Sequence, residues 1–129
     1  MGAIRSYREL VVWQKSVDLA EKVYRATERL PPSERFGLAN QMRRAAVSIP
    51  SNIAEGQSRN STGEFQQFLG VSKGSLAELE TQTLLAGRLK YFLPEQVTGL
   101  LEACEEISKM LNGLQASLRS KARGPAASH

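Results

Sequence analysis

The sequence has few of the side chains on which most enzyme chemistry depends. Its 129 residues include one cysteine, Cys104, and one histidine, His129. A single cysteine excludes an internal disulfide and a zinc site built on several cysteines. A lone histidine leaves the serine hydroxyls without a nearby general base. We therefore expect no catalytic residue, no cofactor and no metal site.

Long apolar runs are also absent. No run approaches the roughly 18 residues of a membrane-spanning helix, and no apolar segment near the N-terminus precedes a cleavage site. We therefore expect a cytoplasmic protein without a membrane partner. Apolar residues make up 41% of the chain and charged residues 23%, which is typical of a folded globular domain.

Apolar residues recur with helical periodicity in four segments, without the sustained alternation of strands. The predicted helix boundaries are about 7–30, 34–57, 62–90 and 94–118. Helices of similar length joined by short connections favour an all-α, up-down-up-down antiparallel four-helix bundle. The prediction is one domain over 1–118, followed by a flexible basic tail over 119–129.

Local signals place the helix ends. The proline pair that begins at Pro31 predicts the end of the first helix. Ser33 suits the N-cap of the second helix, with Phe36 as its first large apolar residue. Ser61 and Glu64 have the spacing of a capping box, which predicts the start of the third helix.

Two features inside the helices leave alternatives open. Pro50 interrupts the second helix, but the periodicity resumes after it, so we predict a kink there rather than a break. Gly70 and Gly74 lie one turn apart on the third helix. They either permit close packing of a neighbouring backbone or are tolerated surface glycines.

The first helix has a wide apolar face made of two adjoining rows. One row consists of Leu10, Trp13, Val17, Ala20, Tyr24 and Thr27. The other consists of Val12, Leu19, Val23, Ala26 and Leu30. The extra width indicates either deep burial within one bundle or a surface covered by another subunit.

Positive charge is concentrated in the first half of the chain. Lysine and arginine number 17 against 13 acids, and basic side chains recur every seven residues along the first helix. Phosphate binding would use such a surface, although a solvated face paired with its own acids is the alternative. The candidate phosphate-binding residues are Arg8, Lys15, Lys22, Arg25, Arg29, Arg43 and Arg44.

The stretch from Gln41 to Gly56, QMRRAAVSIPSNIAEG, resembles the signature of the four-helix-bundle family of 23S rRNA-intervening sequence proteins. The flanking segments YRELVVWQK at 7–15 and GSLAEL at 74–79 agree with it in order and spacing. The motif also has a structural interpretation, in which it fixes a kink and a helix end. The residues to which we give that role are Pro50, Asn52, Glu55 and Gly56.

The resemblance implies a bacterial protein that forms a homopentamer. The family is related to the accessory variability determinants of diversity-generating retroelements, which form pentameric rings, bind nucleic acid and associate with a reverse transcriptase. We therefore expect a non-catalytic oligomeric scaffold that binds RNA or DNA through phosphate contacts. A reverse transcriptase or a ribosomal component is a candidate partner. No motif for reading bases is visible, so no strong sequence preference is expected. The alternative is a protein–protein interaction module that does not bind nucleic acid.

Overall fold

The computed structural model describes residues 6–127, and their side chains as far as residue 121. Within this range the chain forms four helices and no strand, which confirms the all-α prediction. The helices are α1 (Val11–Thr27), α2 (Leu38–Gln57), α3 (Thr62–Arg88) and α4 (Pro94–Ala127). In this part of the chain, no helix combines the length and apolar character needed to cross a membrane.

Consecutive helices pack antiparallel, and α4 closes the bundle against α1. The pairing of α2 with α3 shows the direction. Ser48 on α2 contacts Ser75 on α3, whereas Gly56, further along α2, lies against Phe65 near the start of α3. The four helices thus form an up-down-up-down bundle, as the short connections predicted.

The core takes one row of side chains from each helix. On α1 this is the row containing Val12, Leu19 and Val23, each at most 5% exposed. The other apolar row of α1 remains partly at the surface, where Val17 is 38% and Tyr24 43% exposed. One chain alone therefore does not bury the whole apolar face of α1. Its coverage by another subunit stays a prediction.

Helix α1 is shorter than the predicted 7–30. The residues before it form a 3-10 turn whose N-cap, Ser6, accepts a hydrogen bond from the Arg8 backbone, and the extended backbone of Leu10 separates the two. At the other end, α1 stops at Thr27. Leu30 precedes a proline and is thereby disfavoured from the helical conformation.

The predicted start of the second helix was wrong. Helix α2 begins at Leu38, and its first turn is held by Glu34, whose Oε1 accepts a hydrogen bond from the Leu38 backbone at 3.0 Å. Ser33 therefore does not cap this helix. Phe36 lies in the turn before it and is 85% exposed. Gly37, directly after Phe36, takes the N-cap position.

Helix α3 begins as predicted, because Ser61 Oγ accepts a hydrogen bond from the Glu64 backbone at 3.1 Å. It ends at Arg88, before the predicted 90. Lys90 has a positive φ of 65°, and the next amide, that of Tyr91, donates to Ala86 O at 2.9 Å. This left-handed cap satisfies the last carbonyls of the helix and turns the chain toward α4.

Helix α4 continues past its predicted end at 118 as far as Ala127. The predicted tail at 119–129 is therefore helical over 119–127, and residues 128–129 lie outside the described range. Arginine, lysine and alanine, which have high helical propensity, make up most of residues 119–123, whereas Gly124 and Pro125 disfavour a helix. Helix α2 is continuous through the buried Pro50, and the kink proposed there stays a prediction.

Candidate nucleic-acid interface

The basic stripe of α1 is partly neutralised by the bundle itself. Lys15 Nζ lies 3.3 Å from Glu106 Oε2 of α4, and Arg25 Nη2 lies 2.6 Å from Glu21 Oε2. The hydrogen bond from Arg25 to Glu21, followed by the attraction of that carboxylate, raises the pKa of Arg25. Two of the seven predicted phosphate ligands therefore already face a carboxylate.

The other basic residues of α1 do not form one continuous site. Arg8 lies over the ring of Tyr7, with its Cζ 5.7 Å from the ring centre. Lys22 is exposed and shares a shallow hollow with Glu95 of α4, while Arg29 is exposed near the end of α1. The stripe thus runs beside acidic side chains of α4 and has mixed charge.

Arg43 on α2 is fixed in the groove between α1 and α2. Its Nε donates to Thr27 Oγ1 at 2.8 Å, and its Nη2 donates to the Tyr24 carbonyl at 3.2 Å. Its Cζ lies 4.7 Å from the centre of the Tyr24 ring. None of these partners is a carboxylate, so the guanidinium keeps its net charge in an ordered position.

Arg44 stands exposed between two hollows, and no carboxylate oxygen of the described residues lies within 4 Å of it. Both hollows have volumes near those of small-ligand sites, about 450 and 460 Å³. The hollow between α1 and α2 is lined by Tyr24, Asn40, Arg43, Arg44, Val47 and Ser48. The hollow between α2 and α3 is lined by Phe36, Asn40, Gln41, Arg44, Ala45, Ser48, Ser75, Glu78 and Gln82. Arg43 and Arg44 thus place two unneutralised charges beside adjoining hollows.

A hydrogen-bonded cluster surrounds Ser48, which lines both hollows. Ser75 Oγ donates to Ser48 Oγ at 2.8 Å, and Asn52 Nδ2 donates to the same oxygen at 3.0 Å. Asn52 Nδ2 also donates to the Ser48 carbonyl at 2.8 Å. Because Ser48 Oγ accepts two hydrogen bonds, its own hydrogen is available to a further acceptor.

The α3 side of the second hollow has an unmet acceptor. Gln82 Oε1 is buried, and no donor among the described residues reaches it. Ser75, Glu78 and Gln82 follow each other at spacings of three and four, so they share one face of α3. Glu78 and Gln82 both line the hollow, although Gln82 Oε1 itself is buried and has no surface open to it.

The signature residues around Pro50 act mainly within the bundle. A Cβ at Gly56 would lie 2.7 Å from Phe68 Cβ, so only glycine permits this close approach of α2 and α3. Glu55 forms an ion pair with Arg59, whose Cζ lies 4.9 Å from the Phe68 ring centre. Asn52 orders Ser48, and Pro50 is buried. Among the sixteen signature positions, Arg44 is therefore the exposed cation beside the hollows.

Sequence reasoning missed four residues of this surface as site residues: Tyr24, Phe36, Glu78 and Gln82. The first two were assigned to apolar rows, and the last two lie on α3, far from the basic segments. Gly37 was an available signal for Phe36, since a glycine there separates that side chain from the helix that follows.

Cys104 is fully buried in the core, as its position in the apolar row of α4 predicted. Burial, and secondarily the charge of Glu80, raises the pKa of its thiol to about 12. The thiol is therefore protonated at neutral pH and unreactive. Within the described residues, no three histidine, cysteine, aspartate or glutamate side chains are grouped as metal ligands would be.

Comparison with known proteins identifies similar proteins over most of the chain. A family model described as 23S rRNA-intervening sequence protein matches residues 8–113. A crystal structure of a protein of unknown function from the S23 ribosomal protein family of Bacteroides thetaiotaomicron is similar, with a TM-score of 0.76 and 26% identity. The match covers 81% of this chain and 98% of that one. No curated protein matches the sequence.

Proposed function

The chain belongs to the family of 23S rRNA-intervening sequence proteins, and we propose that it is a non-catalytic scaffold that binds RNA or DNA through phosphate contacts. The observation that carries the proposal is the pair Arg43 and Arg44. Both are free of carboxylate partners within the described residues, and Arg43 is held in place by uncharged groups. The ordered guanidinium of Arg43 and the exposed one of Arg44 both suit phosphate oxygens.

This proposal moves the centre of binding from α1 to α2. Lys15 and Arg25 must give up an ion pair to contact phosphate, whereas Arg43 and Arg44 have none to lose. Lys22 and Arg29 remain as exposed charges that can add to the attraction from the side of α1. Binding through such contacts releases counterions and is therefore strongly dependent on salt.

Self-assembly into a ring of five chains is a further part of the proposal. The resemblance to pentameric relatives supports it, and so do exposed apolar side chains on the outer faces of α1 and α3, namely Val17, Tyr24, Val71, Leu84 and Leu85. Five copies of a site with few cations would bind one strand with higher avidity than a single copy.

Gel-shift titrations of RNA and DNA at low and physiological salt test the binding proposal. Arg44→Gln should weaken binding to every sequence and lower the salt slope by about one for each phosphate that it no longer neutralises. Arg88→Gln is the matched control, because it removes the same charge from an exposed position at the end of α3. Lys15→Glu combined with Lys22→Glu measures what the α1 stripe adds. Absence of binding at low salt, or equal binding by Arg44→Gln, would contradict the proposal.

Light scattering on the purified protein tests the assembly. We expect association, because it covers the apolar row left at the surface of α1, and we expect a mass of five chains from the resemblance to pentameric relatives. A monomer at tens of micromolar would contradict the ring. In that case Val17 and Tyr24 are ordinary surface side chains.

A protein–protein interaction module is the second candidate function. The observation that favours it is the exposed apolar surface of α3, where Val71, Leu84 and Leu85 are 45–51% exposed. A reverse transcriptase or a ribosomal component is the corresponding partner. If the protein binds no nucleic acid but binds a purified reverse transcriptase or ribosomal component, the interaction module replaces the nucleic-acid-binding scaffold as the proposed function.

A further inference from the structure

The hollow between α2 and α3 has the dimensions of a nucleoside. Ser75 and Gln82 stand seven residues apart on α3, which spans about 10 Å of helix. The hollow encloses about 450 Å³, within the range of small-ligand sites. It is thus large enough for a single base with its sugar.

The polar groups of this hollow favour a ligand that has several N–H donors on one edge. Glu78 places a carboxylate in the hollow, with two oxygens that accept hydrogen bonds. Gln82 lies one turn away on the same face, and its buried Oε1 has no donor among the described residues, so it reaches a ligand only when the amide rotates toward the hollow. Across from them, Arg44 and the hydroxyl of Ser48 are donors. A ligand that fits presents donors to α3 and an acceptor to α2.

An aromatic side chain stands beside this polar surface. Phe36 lines the hollow and is 85% exposed, the largest exposure among the large apolar side chains of the described residues. Arg35 lies near the ring, with its Cζ 5.6 Å from the ring centre. An exposed ring next to a cation is the usual platform on which an unpaired base stacks.

Guanine matches this arrangement among the four bases. It has N1–H and N2–H donors side by side, which a carboxylate accepts together, and the O6 acceptor lies next to them. Adenine offers one amino donor beside an acceptor, so it leaves one of the α3 acceptors unmet. In a duplex, pairing occupies this edge of the guanine, so the hollow selects an unpaired nucleotide.

We propose that this hollow binds an unpaired guanine nucleotide of a single strand. The base stacks on Phe36, its N–H edge faces the Glu78 carboxylate, and its phosphate lies at Arg44 and Arg43. The inference rests on the proposed function and deepens it, since it names which form of nucleic acid binds and which base is preferred. It departs from the expectation of no strong sequence preference.

The test is fluorescence anisotropy with short labelled uridine strands that carry one central guanine or one central adenine. The guanine strand should bind about tenfold more tightly, as expected for a bidentate contact to a base. Glu78→Gln should remove this preference, while the adenine strand binds as well as before or more tightly, because the variant also removes a negative charge near the phosphate. Glu102→Gln, at an exposed position on α4, is the matched control and should keep the preference.

A second pair of variants tests the stacking platform. Phe36→Ala should weaken binding of both strands about tenfold, and Phe36→Tyr should restore it, because the ring is retained. Phe36 is 85% exposed, so neither change should affect folding. The guanine strand in a duplex should lose its advantage over an adenine duplex.

The outcomes separate the two proposals. Equal binding of the guanine and adenine strands, or an unchanged preference in Glu78→Gln, overturns the guanine site but leaves the phosphate-binding scaffold intact if Arg44→Gln still weakens binding. Absence of binding to any strand overturns both. A change of oligomer mass in Phe36→Ala shows that a second copy of the chain covers the hollow, which also overturns the guanine site.

Discussion

The contact between α2 and α3 and the contact between α1 and α4 are built differently. Between α2 and α3, Ser72 Oγ is buried and donates to the Ile49 carbonyl at 2.9 Å, and Gly56 allows the backbones to approach closely. Between α1 and α4, the polar contact is the ion pair of Lys15 and Glu106, whose side chains are 45% and 54% exposed. The first interface combines a close approach of the helices with a buried hydrogen bond, whereas the polar contact of the second is exposed to solvent.

The difference explains where an ordered site can form. A buried hydrogen bond must be satisfied in one geometry, so the side chains near the α2/α3 interface have fixed positions. An exposed ion pair contributes little and leaves its side chains mobile. The hollow beside Ser48 and Ser75 therefore has an ordered wall, whereas the basic stripe of α1 has none. We therefore expect specific recognition of nucleic acid at this hollow, and general electrostatic attraction of nucleic acid at the basic stripe of α1.

Gly56→Ala should have the largest effect on stability. The added Cβ would lie 2.7 Å from Phe68 Cβ and 2.9 Å from Phe65 Cδ1, so α2 and α3 must move apart. Overpacking of this kind lowers the free energy of unfolding by about 1–3 kcal/mol. Chemical denaturation followed by circular dichroism measures it.

Gly74→Ala is the control for this change. No heavy atom lies within 4 Å of its added Cβ, so the substitution should stabilise α3 by about 1 kcal/mol through helical propensity alone. If Gly56→Ala and Gly74→Ala have the same free energy of unfolding, the distinction between a tight position at Gly56 and an open one at Gly74 is wrong. If Gly74→Ala reduces the oligomer mass, this glycine packs against another subunit.

The fold follows from the sequence because its signals are periodic and local. The apolar rows of α2 and α4, the cap at Ser61 and the stop at Pro31 all act within one or two turns, and the structure follows them. The start of α2 was missed because Glu34 serves as its cap from four residues away. Serine is the common N-cap residue, so Ser33 was the expected choice.

The hollow was not predictable for a different reason. It joins Arg44 and Ser48 on α2 to Glu78 and Gln82 on α3, and only the register of the packed helices brings them together. The ion pair of Lys15 with Glu106 likewise depends on the α1/α4 register. The seven basic candidates had the right charge, but sequence spacing alone does not show which of them face a carboxylate.

Glu34→Ala should have an intermediate effect on stability. Glu34 lies outside both interfaces, but its side chain makes two hydrogen bonds. Its Oε1 caps α2, and its Oε2 accepts a hydrogen bond from Tyr91 Oη at 3.0 Å in the connection before α4. Loss of a helix cap lowers the free energy of unfolding by about 1 kcal/mol. Ser33→Ala, which removes no cap, should leave it unchanged.

The same contact predicts a dependence on pH. The hydrogen bond to Glu34 raises the pKa of Tyr91 above its ordinary value of 10.0, with burial and the charge of Glu34 as further causes. The stabilisation is therefore complete below the ordinary pKa and is lost as pH rises through the raised one. Denaturation curves of the wild type should show a larger loss than those of Glu34→Ala, in which burial alone remains to raise the pKa of Tyr91. If both proteins lose the same free energy of unfolding at high pH, the contact between Glu34 and Tyr91 is not the source of the pH dependence.

Breaking the ion pair between α1 and α4 should have the smallest effect on stability. Lys15→Met and Glu106→Gln should each change the free energy of unfolding by less than about 0.5 kcal/mol, because both side chains are half-exposed and salt screens them. A double-mutant cycle at low and high salt measures the coupling, and a coupling above about 1 kcal/mol would show that this interface is as ordered as the other.

The effect of the same variants on nucleic-acid binding is more informative than their effect on folding. Glu106→Gln frees the charge of Lys15, so strands held by general attraction should bind more tightly at low salt. If nucleic-acid binding depends only on Arg43 and Arg44, the same variant leaves the affinity unchanged.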